Sequence, residues 1–315
     1  MKHVRAAITY ALFPVTFFGA LWGALVGIQL ELSKWLVLAG ITASSAVVVA
    51  VCERIHPVHR GWNRSRSDVG TDATHALVSM ILLPYFLEMI LATSLLVVAI
   101  QLADVVGFAL WPNQWNLLAQ LVLAMLISQF GEYWVHRMMH ECPLFWRFHA
   151  THHSPGRLYW LNAARFHPID TAIGHVSALA PILILGAGSE VLLLVSVWVM
   201  VHGMFQHCNI HLRLGPLNYV FSMAELHRWH HSRKVSEANA NYGNNIIFWD
   251  IVFGTRYHPP DREASSVVGL ADLDRFPQDY VGQILSPFRW NKITGEGEPA
   301  MGSSSREDDP AANGG

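Results

Sequence analysis

His136-Arg137-Met138-Met139-His140, His149-Ala150-Thr151-His152-His153, His207-Cys208-Asn209-Ile210-His211 and His227-Arg228-Trp229-His230-His231 all fall between Glu132 and His231, and their reading decides the fold. Two follow the pattern HxxxH and two the pattern HxxHH. On a helix, separations of three and four residues return side chains to one face, so each cluster aims two or three imidazoles at one spot. Imidazole suits Fe, Zn, Cu and Ni, and the ten clustered histidines exceed what one ion can coordinate. The pattern therefore points to two metals in one site. A lone HxxxH is common by chance, a ligand pair in roughly one case in ten. Four clusters in one stretch are different, because so many imidazoles without metal would repel when charged and leave ring nitrogens unpaired when buried.

Composition names the solvent. The chain has 315 residues, with 15 Phe, 12 Trp and only 14% charged residues, where a soluble domain carries about a quarter. Such a chain belongs in a bilayer. Cys52, Cys142 and Cys208 form no CxxC pair, which argues against a disulfide framework, a zinc ribbon or an iron–sulfur cluster. Electrons for any redox chemistry must come from outside the chain. A net charge of -2 leaves no footprint for nucleic acid, and no Gly-rich phosphate loop or dinucleotide fingerprint precedes a helix.

Working outward from the clusters, the apolar run Ala7–Leu30 behind Lys2 and Arg5 reads as a retained signal-anchor helix, and Trp35–Cys52 as its returning partner. Arg54, Arg60, Arg64 and Arg66 make the following loop cytoplasmic. A third span covers His75–Gln101, and the linker Leu102–Trp115, without Lys or Arg, lies on the far side. A fourth starts at Asn116 and runs straight into His136, with Tyr133 and Trp134 as interfacial anchors. Thr171–Phe205, interrupted at 186–190, gives two halves of roughly 16 residues, near the lower limit for a crossing, and is expected as a short tilted or re-entrant hairpin. It returns the chain to the side it left, so His207–His231 can meet His136–His153. The expected fold is all-α: a multi-span transmembrane helical domain of four long spans plus a short hairpin, with a cytoplasmic histidine-rich helical cap. Residues 1–115 form the N-terminal transmembrane region, 116–290 the catalytic membrane domain, and 291–315, rich in Ser, Gly, Pro and acids from Gly295, a disordered tail.

The ordered set Tyr133-Trp134-x-His136-Arg137-x-x-His140, Trp146-Arg147-x-His149-x-x-His152-His153-Ser154, Arg165-x-His167-Pro168, His207-x3-His211, His227-x-Trp229-His230-His231-Ser232, Asn241-Tyr242-Gly243 and Trp249-Asp250-x-x-Phe253-Gly254-Thr255 resembles the fatty acid hydroxylase and sterol desaturase superfamily of integral-membrane di-iron enzymes. It covers about Gln129 to His258. The resemblance implies a cap holding two Fe ions, with zinc an ion that a purified sample can carry instead, and O2 as co-substrate. It also implies an oxidoreductase that hydroxylates or desaturates a C–H bond of a fatty acyl or sterol-type lipid, drawn from the bilayer. Electrons would come from an external donor of cytochrome b5 or ferredoxin type. His136, His140, His149, His152, His153, His207, His211, His227, His230 and His231 carry over as metal ligands. One departure is Gln129, where many relatives have an aspartate.

Around the ligands, Glu132 lies one turn before His136 and could orient an imidazole N–H. His167 is a candidate for a supporting or headgroup-binding role or for capping the helix after Pro168, and Asn241 for reaching a metal-bound water. Arg137, Arg147 and Arg228 suit lipid headgroups or acidic partners better than chemistry. His175 and His202 lie in apolar sequence, where donation to a backbone carbonyl competes with function. The alternatives are a divalent-metal transporter, which needs ligands along a midplane path, a structural zinc cap, which four ligands would close, and an alkylglycerol or carotenoid monooxygenase of the same superfamily.

Overall fold

The computed structural model describes residues 2–295. Residues 296–315, most of the expected tail, lie outside the described residues. The first two helices, α1 (Lys2–Gln29) and α2 (Lys34–Ile55), form a hairpin. A continuous 38-residue helix, Val69–Val106, follows. Its first turns, α3 (Val69–His75), pass through a π-helical segment, Ala76–Leu82, into α4 (Leu83–Val106). The Asn116 side chain caps α5 (Leu117–Glu141) by accepting the Ala119 N–H at 2.9 Å. Next come α6 (Pro143–His153), α7 (Pro168–Ile184) and α8 (Ser189–His207). Beyond them lie only short helices: α9 (Ala224–His230), α10 (Val235–Ala238), α11 (Phe248–Val252), α12 (Tyr280–Leu285) and α13 (Trp290–Thr294). The last of these occupies part of the segment expected as tail. Among the described residues there is no strand, only isolated bridges such as Pro57 with Ile210.

Among the described residues five helices are long and apolar enough to cross a membrane: α1, α2, α3–α4, α5 and α8. The expectation of four long spans and a shallow hairpin thus gains a fifth span. At 1.5 Å per residue the 19 residues of α8 extend about 28 Å, close to the thickness of the hydrocarbon core. The turn before α8 reaches the far end of the bundle, where Glu190 pairs with Lys34 of the α1–α2 turn at 2.9 Å. A hairpin that turned back halfway could not make that contact. No side chain of α4 is buried, so this apolar helix presents its surface to lipid.

At the other end, each helix presents the terminus that alternate crossing requires. The Arg213 N–H donates to Thr9 of α1, the His211 N–H to His56 just past α2, and the Arg165 guanidinium pairs with Asp72 of α3. The C-terminal ends of α5 and α8 and the N-terminal end of α7 arrive there too, carrying His136, His207 and Asp170. One cap therefore collects six helix ends. Close approach of α5 and α7 depends on Gly131, because a Cβ there would collide with the Ser177 carbonyl oxygen. The core beneath the cap is aromatic, with Phe13 and Phe17 of α1 edge-on to Phe205, Phe221 and Trp198.

Candidate metal centre

Nine of the ten clustered histidines assemble into two abutting groups. His136, His140, His149, His153 and His230 form the first and His152, His207, His227 and His231 the second. Within each group the candidate ligand atoms lie within 4.8 Å of one another. The stacked rings of His153 and His231, 4.3 Å between centroids, join the two groups. Helical geometry explains how each HxxHH motif serves both. Residues four apart lie about 40° from eclipsed, and the residue between them in the motif points off to the other side. So His149 and His153 enter the first group while His152 enters the second, and His227 and His231 enter the second while His230 crosses to the first.

His211 belongs to neither group. Its expected place assumed that the helix continues through Ile210, but α8 ends at His207 and Cys208 is extended (φ -57°, ψ 140°). The chain there pairs with Pro57, and the His211 ring stacks loosely on His56 at 5.3 Å.

In six of the nine histidines the ring nitrogen facing away from the centres is held by an oxygen acceptor, whereas Nδ1 of His227 and of His231 is buried without a partner. Nδ1 of His136 meets the Tyr242 carbonyl at 2.6 Å, that of His149 the Asp170 carboxylate at 2.7 Å, and that of His230 the Ala240 carbonyl at 2.8 Å. Nδ1 of His207 meets Asn162 Oδ1 at 3.0 Å, that of His152 the Arg165 carbonyl and that of His140 Asn239 Oδ1, both at 3.3 Å. Asn162 cannot turn its amide around, since Oδ1 also accepts the Tyr159 N–H and Nδ2 donates to the Arg157 carbonyl. Oxygen acceptors require the proton on Nδ1, which leaves Nε2 a bare lone pair.

The Nε2 atoms face each other across the centres. Nε2 of His136 and His149 lie 3.1 Å apart, those of His207 and His227 3.0 Å, and those of His231 and His152 3.1 Å. In the first group Nε2 of His140, His153 and His230 are buried with no partner. At His136 and His149 both Nδ1 protons are held, so their facing Nε2 atoms repel unless a cation lies between them, and the donor set fits a metal centre. Burial reinforces it. Desolvation first, then the charge of neighbouring imidazoles, holds His149, His153, His227 and His231 well below the usual histidine range, so the neutral, ligating form prevails.

The support around the site differs from the candidates singled out in the sequence. Glu132 orients no imidazole: its carboxylate bonds to Gln129 and Asn244, while His136 takes a backbone carbonyl. The Asn241 side chain is engaged in holding the backbone. Its Nδ2 donates to the Leu226 and Tyr257 carbonyls and its Oδ1 accepts the Tyr257 N–H, which fastens the Asn241–Gly243 turn to α9. His167 caps α7 by accepting the Ile169 N–H and ties down the Ile284 carbonyl. His202 is fully buried between Phe13 and Phe221, with both ring nitrogens unpartnered, and His175 leaves Nε2 unpartnered.

Asp170 and Asp250 are the carboxylates that matter, and the sequence reading passed over the role of both. Asp170 holds His149 directly. Asp250 accepts the N–H groups of Tyr242 and Gly243 at 2.7 Å each and so aims the Tyr242 carbonyl at His136. Asp72 acts at one remove, pairing with the fully buried Arg165 at 2.5 Å and accepting from Tyr159, while the Arg165 carbonyl meets His152. The available signal was position: Asp170 falls in the first turn after His167-Pro168, and Asp250 follows the Asn241-Tyr242-Gly243 turn.

Fold and site together define a multi-span membrane protein with a buried polyhistidine metal centre at one end of its helices. Comparison with known proteins narrows this. The fatty acid hydroxylase family model matches residues 121–255. Ornithine lipid hydroxylase OlsE of Rhizobium tropici is 33% identical over 290 residues, covering 91% of this chain and 86% of that protein. The chain belongs to the fatty acid hydroxylase family and is an oxidoreductase. Human alkylglycerol monooxygenase is 31% identical over 150 residues, 46% of this chain and 31% of its own length. Rat methylsterol monooxygenase 1 is 26% identical over 154 residues, 47% of this chain and 50% of its own. No solved structure matches.

Proposed function

We propose that this chain is a di-iron monooxygenase that hydroxylates a C–H bond of a membrane lipid, with its metal centre on the cytoplasmic side. The nine assembled histidines would hold the ions. Two irons there would supply activation of O2 and oxidation of an unactivated C–H bond, at the expense of two electrons from an external donor of cytochrome b5 or ferredoxin type. The polypeptide keeps imidazole neutral by burial, fixes six of the nine rings through an Nδ1 acceptor and excludes bulk water. The observation carrying the reading is the convergence of Nε2 atoms in two adjacent groups, those of His136 and His149 unprotonated and facing at 3.1 Å. Hydroxylation is preferred to desaturation because the similar proteins are named hydroxylases and monooxygenases. The arginines of the loop after α2, on the same face as the cap, support the cytoplasmic side. A transporter is not favoured, since the ligands gather in one cap instead of along a path through the spans.

Lipid extracts of cells with and without the chain, compared by mass, test the reaction. A product 16 mass units heavier than its precursor, dependent on O2, supports it. A product two units lighter would replace hydroxylation with desaturation, and no change in any lipid would remove the assignment. Elemental analysis in mild detergent separates two irons per chain from a single firmly held zinc, provided expression supplies iron, because imidazole sites prefer zinc to ferrous iron.

A further inference from the structure

The displaced His211 helps to line a second cavity, small at about 50 Å³, with His59, Arg228 and His258 among its walls. The two carboxylates among its walls, Glu225 and Glu263, are already engaged. Glu225 accepts the Leu214 N–H at 2.8 Å and Asn218 Nδ2 at 3.0 Å and lies 3.5 Å from Arg213, which also pairs with Glu263. Arg262 is taken by Glu237 at 2.8 Å. Arg228 is different. Only 8% exposed, it donates from Nη2 to the Cys208 and Ile210 carbonyls, and its Nε has no partner. Among the described residues no carboxylate lies within ion-pair distance of it. Nδ1 of His211 is likewise buried without a partner. A guanidinium withdrawn from water is hydrogen-bonded here to neutral carbonyls alone, with Glu225 and Glu263 acting on it only from beyond ion-pair distance, so it can still take an anion in direct contact.

The place of the cavity identifies the missing anion. Val58 and His59 of its wall follow directly on α2, and the backbone of Arg213 bonds to Thr9 in the early turns of α1. This is the level at which the apolar spans begin, where a bilayer presents its phosphates. We propose that the cavity binds a phosphate oxyanion presented by a phospholipid headgroup, received by Arg228 and the N–H groups of the lining histidines. Arg228 stands between His227 and His230 in α9, so the occupant would fasten to the membrane surface the helix that serves both metal groups.

The purified, metal-loaded full chain in detergent provides the test. Inorganic phosphate, titrated against chloride at constant ionic strength, should raise the melting temperature saturably. Arg228→Lys, which keeps the charge and loses the fork, and His211→Phe should each weaken the apparent phosphate affinity at least ~10-fold. Phosphorus assay after exhaustive detergent washing separates the sources. A phospholipid retained by the unaltered chain and lost from the variants assigns the headgroup, whereas saturable phosphate binding without retained lipid assigns the free ion to the same site. Where Arg228→Lys does not fold, His258→Phe on the opposite wall carries the comparison. No saturable phosphate effect together with no retained phosphorus, or equal affinities in the unaltered chain and the folded variants, overturns the proposal.

Discussion

At the scale of the residue, the proton on each imidazole decides what the centre can do, and at six of the nine histidines an oxygen atom outside the centre decides the proton. Asp170 is the one carboxylate among these acceptors, bonded to His149 at 2.7 Å. Asp170→Asn should lower metal affinity by about 10–100-fold, the usual cost of losing such a partner, while the protein still folds; metal retention against a graded chelator measures it. His152→Ala and His230→Ala should each lose at least one metal and all oxidation product, and full activity in either would count heavily against the assigned site. His211→Ala should keep the metal content of the unaltered chain, because the ring lies outside both groups. Elemental analysis of the three variants side by side decides between the ligand set read from the sequence and the one read from the fold.

At the scale of the element, the pivotal fact is that α5 and α7 touch at a glycine. Gly131 lies just before the first cluster, and the α7 it meets at Ser177 carries Asp170 in its first turn. Gly131→Ala would force the two helices apart against the Ser177 backbone, at a cost of about 1–3 kcal/mol, and would separate His149 from its carboxylate as it does so. The expected result is a lower melting temperature and weaker metal retention together. Unchanged stability would show that the contact is slack. The end of α8 makes a complementary point: HxxxH at 207–211 looks identical to HxxxH at 136–140 in one dimension, yet one is helical throughout and the other unwinds after its first histidine. Glu53, near the end of α2, accepts the N–H groups of Asn209 and Trp160 at 2.8 Å each and helps hold that unwound segment. Nothing in the cluster's own sequence announces a partner so far away.

At the scale of the whole molecule, acid should be destructive. Six of the cluster histidines outside the spans, His149, His152, His153, His227, His230 and His231, are pushed below the usual range, first by desolvation, so the folded chain refuses protons that the unfolded chain accepts. More protons on the unfolded state means that stability rises with pH. It is unaffected above the unfolded value of about 6.5 and is lost progressively below it, with a limiting slope of about 1.4 kcal/mol per pH unit for each histidine. Metal leaves in the same window, since ligation needs neutral imidazole. Metal content and stability unchanged at pH 4 would contradict both. Topology is tested at this scale as well. In a background lacking Cys52, Cys142 and Cys208, a thiol at Ser65→Cys should react only from the cytoplasmic face and one at Gln114→Cys only from the opposite face. The reverse pattern would move the centre to the other side of the membrane.

By itself the sequence determined the solvent, the helical class and the existence of the centre, because long apolar runs and i, i+3, i+4 spacings are local properties that a one-dimensional reading captures. It set the start of α5 at its Asn116 cap and placed the clusters on one side by counting crossings. Only the tertiary structure decided the rest. It determined which histidine joins which group, that His211 joins neither, and that Asp170, Asp250 and backbone carbonyls hold the rings where Glu132 and Asn241 had been expected to help. Those outcomes depend on contacts such as His149 with Asp170 and His136 with Tyr242, between residues that meet only after separate helices pack and whose types carry no mark of the partner.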